Sequence, residues 1–357
     1  RRPFTISRMN RLYNLDYLRG LAAFGIMIYH YLSWAYGNFT ADTFMGRVGI
    51  YGVSVFYVLS GLTLYYVYFD KMKPSTEEII LFFKKRFFRI YPLLWLATAA
   101  AILISKKVPD VWDVLLNLTG LFGFIKWDTC FSTGVWSIGN ELVFYVFFPV
   151  FILLVKSYRI VMVLFGMLLF SVYLYFAFVK LVPEVALADQ WKNYVNPLNQ
   201  VFIFLGGFLI GFFLNNIKIN NLLSLLFILL GLGLFTFYPV AGNAINLVSG
   251  VNRLVFTAIC FLVCIGFYKT TVALPAVIHK PLTLLGESSY SVYLLHPIVW
   301  GILGFIFKLL HLPEVLHPSF LKVVLSVICT LIVSYFVYEK FEKYFMKFAG
   351  RKKVCAG

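Results

Sequence analysis

Two side chains in otherwise apolar surroundings are equipped for acid–base chemistry. His30 closes the run LDYLRGLAAFGIMIYH (15–30), and Glu141 lies within VWSIGNELVFYVFFP (135–149). An imidazole titrates near neutrality and takes a proton from a hydroxyl nucleophile. A carboxylate beside it fixes the tautomer and stabilises the imidazolium formed during transfer. Plainer readings stay open at this point. His30 could bond only to a backbone carbonyl or a tyrosine hydroxyl, and Glu141 could be satisfied by Trp136, Ser137 or Asn140.

Three arginines suit the binding of an anion. Arg19 follows Asp16 by three residues, so the two share a helical face. Either they simply pair at the membrane boundary, or Asp16 orients a binding arginine. Arg86 and Arg89, in FFKKRFFRIYP, are also three apart. A planar guanidinium meets phosphate with two parallel hydrogen bonds, whereas a positive signal at a cytoplasmic membrane face is the alternative. Lys84 and Lys85 take that alternative. A last polar cluster, LGESSYSVYLLHP (285–297), carries Tyr290 and ends in His296. Its hydroxyls and imidazole either line a polar cavity or join helix to helix. The chain has no HExxH, no carboxylate cluster, no phosphate-binding glycine loop and no GxSxG elbow, so no metal is expected.

These residues must be held by membrane helices. Of 357 residues 61% are hydrophobic and only 13% charged, where soluble domains carry about a quarter. Mean hydropathy is +0.86. The composition predicts an all-α polytopic membrane protein. The apolar segments fall at about 16–36, 48–69, 91–104, 135–155, 160–179, 198–214, 221–240, 249–268, 286–307 and 320–339. That makes about ten transmembrane helices in one bundle, each near the ~20 residues that cross hydrocarbon. Residues 70–90 read as a charged connection, with Pro92 opening the third segment. At 1.5 Å of rise per residue, Arg19 and His30 stand about 16 Å apart along the first helix. Ionisable groups at such depths are paired, line a cavity or do chemistry.

The formal charge of +16 does not point to nucleic acid, because much of it falls in short loops between apolar segments. Anionic membrane lipid accounts for that placement. Lys and Arg concentrate on the side of the termini, which places both in the cytoplasm. Residues 1–350 read as one integral-membrane domain and 351–357 as a basic cytoplasmic tail. No cleavable signal peptide is visible, and the absent initiator Met reads as processing, trimming or a cloned boundary. Five cysteines form no ligand-spaced set. An aromatic-rich lipid face and an aromatic-rich subunit interface look alike, so a homo-oligomer stays open.

Taken together, LDYLRGLAAFGIMIYH (15–30), VSVFYVLSG (53–61), KKRFFRIYP (84–92), VWSIGNELVFYVFFP (135–149) and LGESSYSVYLLHP (285–297) resemble the membrane-bound acyltransferase-3 family. Their order and spacing span most of the chain. The fourth segment reads WSIGNE where WSLxxE is common. The resemblance implies about ten core helices and O-acyl transfer, usually of acetyl from acetyl-CoA, to a hydroxyl of a cell-envelope or exported glycan, or a glycolipid. It implies a bacterial inner or cytoplasmic membrane. It places the family histidine on His30, its first-helix arginine on Arg19, its arginine pair on Arg86 and Arg89, and its glutamate on Glu141. Direct transfer and a route through an acyl-histidine both fit these residues. The competing class is a proton-coupled transporter of an anionic solute, with His30 and Glu141 relaying protons. A catalytically silent scaffold is a third.

Overall fold

The computed structural model describes residues 12–73, 75–105, 108–310 and 319–350. The N-terminal arginines and the basic tail at 351–357 lie outside the described residues. Among those described there is no strand. The chain is all-α.

Helices follow one another with short connections: α1 (Tyr13–Tyr36), α2 (Phe44–Tyr68), α3 (Thr76–Ser105), then two short elements, α4 (Val111–Thr119) and α5 (Phe122–Ile125). Next come α6 (Val135–Ser157), α7 (Arg159–Tyr175), the single-turn α8 (Trp191–Tyr194), α9 (Pro197–Leu214) and α10 (Asn221–Phe237). The chain continues through α11 (Ile245–Val248), α12 (Gly250–Lys269), α13 (Ala276–Glu287), α14 (Ser289–Leu309), α15 (Ser319–Phe336) and α16 (Lys343–Gly350). A wide turn at Phe176–Lys180 prolongs α7, and another at Val337–Glu342 joins α15 to α16.

Among the described residues, eight helical segments are long and apolar enough to cross a membrane: α2, α3, α6, Arg159–Lys180, α9, α12, α14 and Ser319–Ala349. Two of the ten segments expected from sequence stand outside that set. One is α1, 24 residues long, whose apolar run is diluted by Asn14, Asp16, Arg19 and His30. The other is α10, apolar but only 17 residues long.

The third segment differs from expectation. Pro92 does not open it; the helix starts at Thr76 and carries Pro92 inside. Glu77 and Glu78 in its first turn complement the positive helix N-terminus. The charged and apolar stretches are therefore one 30-residue helix, which fixes Arg86 and Arg89 to the same rod as the buried Leu93, Leu94 and Ala97. Near the C-terminus the expected segment at 286–307 starts at Ser289, after a break that sets α13 apart. The final helix also runs past residue 339, which brings Glu342 into the bundle.

α1 lies at the centre, packed against α2, α12, α13, α14 and α15, while α2 packs chiefly on α9. A slab of aromatic rings fills the space between α6 and α9, with Phe144 stacked on Phe204 at 5.2 Å and Phe151 tilted against Phe208 at 5.7 Å. By contrast, α10 buries only Ser224 and Gly231 and lies at the periphery.

The α2–α9 crossing depends on glycine. A β-carbon at Gly61 would lie 2.1 Å from the Phe204 carbonyl oxygen, and one at Gly207 would lie 2.0 Å from that of Val58. Both obstacles are backbone, so no side chain can move aside, and close small-residue packing of this kind holds membrane helices together. Gly61→Ala and Gly207→Ala should each destabilise the fold by roughly 1–3 kcal/mol, read as a lower apparent melting temperature in detergent. Unchanged melting in both would contradict this close approach.

Candidate functional site

Three of the cavities that touch α1 hold most of the polar residues singled out in the sequence. The first, about 190 Å³, is lined by Arg19, Ser60, Thr63, Arg86, Arg89 and Glu141, among others. Arg19 is fixed from two sides: Nη1 donates to Asp16 Oδ1 at 3.0 Å and Nη2 to Thr63 Oγ1 at 2.9 Å. Arg86 donates to the Tyr68 hydroxyl at 3.3 Å. Its guanidinium also lies 5.7 to 5.9 Å from the ring centres of Tyr68, Phe82 and Tyr145, within range of cation–π attraction. Its Nε is buried with no hydrogen-bond partner. Glu141 accepts from Ser60 Oγ at 2.8 Å and from the Tyr145 hydroxyl.

A neighbouring cavity of about 350 Å³ shares Arg19, Thr63 and Arg89 and adds Asp16, Glu287 and Glu342. Glu342 is buried and accepts from Ser291 Oγ. With Asp16 paired to Arg19, the three arginines around the first cavity meet two carboxylates, which leaves an excess of one positive charge. Such a space attracts an anion, and the guanidiniums offer paired donors to phosphate.

The third cavity, about 340 Å³, opens around the far end of α1. It is lined by Tyr29, His30, Asn38, Trp136, Trp191 and Asn243, among others. The rings of Trp34 and His296 lie near-parallel to that of His30, with centres 5.3 and 5.0 Å away and 6.0 Å from each other. Its Nδ1 is 2.9 Å from His296 Nε2. The tautomers follow from the network. His296 Nδ1 faces the Val292 carbonyl at 3.2 Å, and a carbonyl only accepts, so the proton of neutral His296 sits on Nδ1. Its Nε2 then accepts from His30 Nδ1–H. The lone pair of neutral His30 is left on Nε2, the atom a general base needs.

This corrects the pairing expected from sequence. The neighbour of the His30 imidazole is His296, and Glu141 lines the other cavity. The cause is the register of α6. Ser137 and Glu141, four apart, share the face turned to the arginines, while Trp136 faces the histidine side. Trp136 packs against Trp191 and Tyr194 at 5.5 and 5.7 Å. Ser137 bonds to the Tyr293 hydroxyl at 2.8 Å, and Tyr290 lines the arginine cavity while donating to the Ile90 carbonyl at 2.8 Å. His296 is fully buried, and the Tyr31 hydroxyl donates to its carbonyl at 2.9 Å.

Several site residues escaped the reading by residue type. Tyr145 and Trp34 follow Glu141 and His30 by four positions, and that i,i+4 spacing was the available signal. Ser60 and Thr63 share a face of α2 in the same way, and Ser60 points its hydroxyl to Glu141 rather than forming the helix seam with Gly61. Glu342 gave no such signal, because its burial depends on where the last helix packs.

Residues 12–339 match the family model described as "Acyltransferase domain". The chain is also 32% identical over 168 residues to the acyltransferase MdmB of Streptomyces mycarofaciens, a match covering 42% of this chain and 41% of that protein. The match thus spans about two fifths of that relative. No solved structure matches.

The excess positive charge of the arginine cavity predicts that adenosine 3′,5′-bisphosphate binds the purified protein in lipid, more weakly as salt rises. Arg86→Ala and Arg89→Ala should each weaken it roughly tenfold, the loss of one charge-assisted contact. Calorimetry provides the check. Equal affinity for uncharged adenosine would contradict a phosphate site.

Proposed function

The chain belongs to the acyltransferase domain family, and from that premise we propose that it is a membrane O-acyltransferase. It moves an acyl group, with acetyl the leading candidate, from cytoplasmic acyl-CoA to a hydroxyl of a cell-envelope or exported glycan. The observation that carries the reading is the division of labour along α1: an arginine-lined cavity begins near Arg19, and a cavity with a poised imidazole lies at His30.

On this reading the phosphates of the donor engage Arg86, Arg89 and Arg19, and the acyl-pantetheine arm extends along α1. The acceptor hydroxyl enters the His30 cavity. His30 Nε2 removes its proton as the oxygen attacks the thioester carbonyl carbon. The tetrahedral intermediate then collapses, the C–S bond breaks, and the CoA thiolate leaves with the electron pair. His296 accepts the hydrogen bond from His30 Nδ1–H throughout, which holds the ring and its tautomer. Asp16 and Thr63 hold Arg19 for the donor. Glu141, among the arginines, offsets part of their charge so that they sit together before the donor arrives. Direct transfer is preferred to an acyl-histidine intermediate because it needs one chemical step fewer.

The same proposal takes α1 and α10 as membrane-crossing, which restores ten spans and places both termini in the cytoplasm. Burial of α1 among five helices supports its crossing despite its polar residues. Their charges meet protein instead of lipid.

Radiolabelled acetyl-CoA with protein in lipid and a mixed envelope-glycan extract tests the reading. His30→Ala should lower transfer by about 10²–10⁴-fold. His296→Leu should lower kcat while leaving the donor KM in place, and Arg89→Ala should raise that KM. Absence of both acyl-CoA binding and turnover in folded wild-type protein would overturn the reading in favour of transport.

A further inference from the structure

Among the described residues, Tyr293 of α14 is the one side chain common to the linings of the arginine cavity and the histidine cavity. It is almost completely buried, with 5% of its surface exposed. One face of the barrier it forms is set by Gly134, where a β-carbon would come within 3.0 Å of the tyrosine ring. Phe56 meets the ring edge-on at 5.7 Å from the arginine side. The hydroxyl is pinned by Ser137 Oγ at 2.8 Å and the Gly134 carbonyl at 3.1 Å. The ring centre lies 6.1 Å from that of His296, and so next to the imidazole pair.

We propose that Tyr293 is the partition between the donor and acceptor cavities, and that it sets how long an acyl group the enzyme accepts. The inference rests on the acyl-transfer reading above. If the donor's phosphates sit at the arginines and the acceptor hydroxyl at His30, the thioester carbonyl must reach its attacker beside this ring. The barrier is one side chain thick, held by two hydrogen bonds and no covalent link, so a small displacement brings the two reactants together. While it stays in place, it keeps water in the His30 cavity from the thioester. Without it, water replaces the acceptor: its oxygen attacks the carbonyl carbon, His30 takes its proton, the C–S bond breaks and free thiol is released. The ring also closes the end of a cavity of only about 190 Å³. A two-carbon acyl group fits at such a stop more readily than a long one.

Full-length protein in sealed vesicles allows two readouts. In the first, thiol release from acetyl-, butyryl- and hexanoyl-CoA is followed without acceptor. Tyr293→Ala should raise this release roughly tenfold and flatten the preference for the shortest acyl group, whereas Tyr293→Phe, which keeps the ring but loses both hydrogen bonds that hold it, should raise the leak by less and keep that preference. The second readout needs no chemistry. An impermeant maleimide is applied to the vesicle face from which His30→Cys is labelled. Ser60→Cys, a marker of the arginine cavity, should resist labelling from that face and become labelled when Tyr293→Ala is added. Labelling of Ser60→Cys from that face with Tyr293 intact would overturn the proposal. So would a folded Tyr293→Ala protein with unchanged leak, unchanged acyl preference and continued protection of Ser60→Cys. If the labelling behaves as expected but wild-type protein neither binds nor consumes any acyl-CoA, the partition stands and the acyl-transfer reading falls.

Discussion

A guanidinium inside an apolar bundle needs partners for its charge and its donors, because leaving them unmatched away from water is costly. The architecture follows from how that constraint is met. Arg47 spends its donors on backbone carbonyls of Ala41, Phe235 and Tyr238, and so ties a loop to the helices. Arg253 bonds to the Asn199 carbonyl and lies 4.4 Å from the ring centre of Tyr173. Arg19, Arg86 and Arg89 instead gather around open space. Asp16 and Thr63 hold Arg19 there, and Tyr68, Phe82 and Tyr145 surround Arg86. The first two arginines hold the fold together; the last three leave donor capacity facing a cavity.

The imidazole pair answers the same constraint with neutral groups. Two near-parallel histidine rings, side by side, share one hydrogen bond, and the second is anchored to its own helix through Val292. The pair and the carboxylate are separated in space: Glu141 lines the arginine cavity, and His30 lines the other.

Much of this was legible in the sequence. The composition and the apolar segments carried the fold class, and the charged residues picked out within those segments line the candidate cavities. What could not be read was pairing between helices. Glu141 and His30 were candidates for a dyad by chemistry alone, but the rotation of α6 and the close packing of α14 on α1 decide that His296 is the neighbour. Helix starts were also ambiguous. Pro92 looked like a boundary, yet the charged residues before it continue the same rod. The hidden Glu342 and the shared wall at Tyr293 depend on three-dimensional packing, and no local pattern announces them.

The most direct measurement is an electron cryo-microscopy structure of the protein in lipid with CoA bound. The account predicts phosphate density against Arg19, Arg86 and Arg89, with the thiol end of the pantetheine reaching the Tyr293 wall on the side away from His30. Nucleotide bound on the His30 side, or outside both cavities with the arginines still facing empty space, would contradict it.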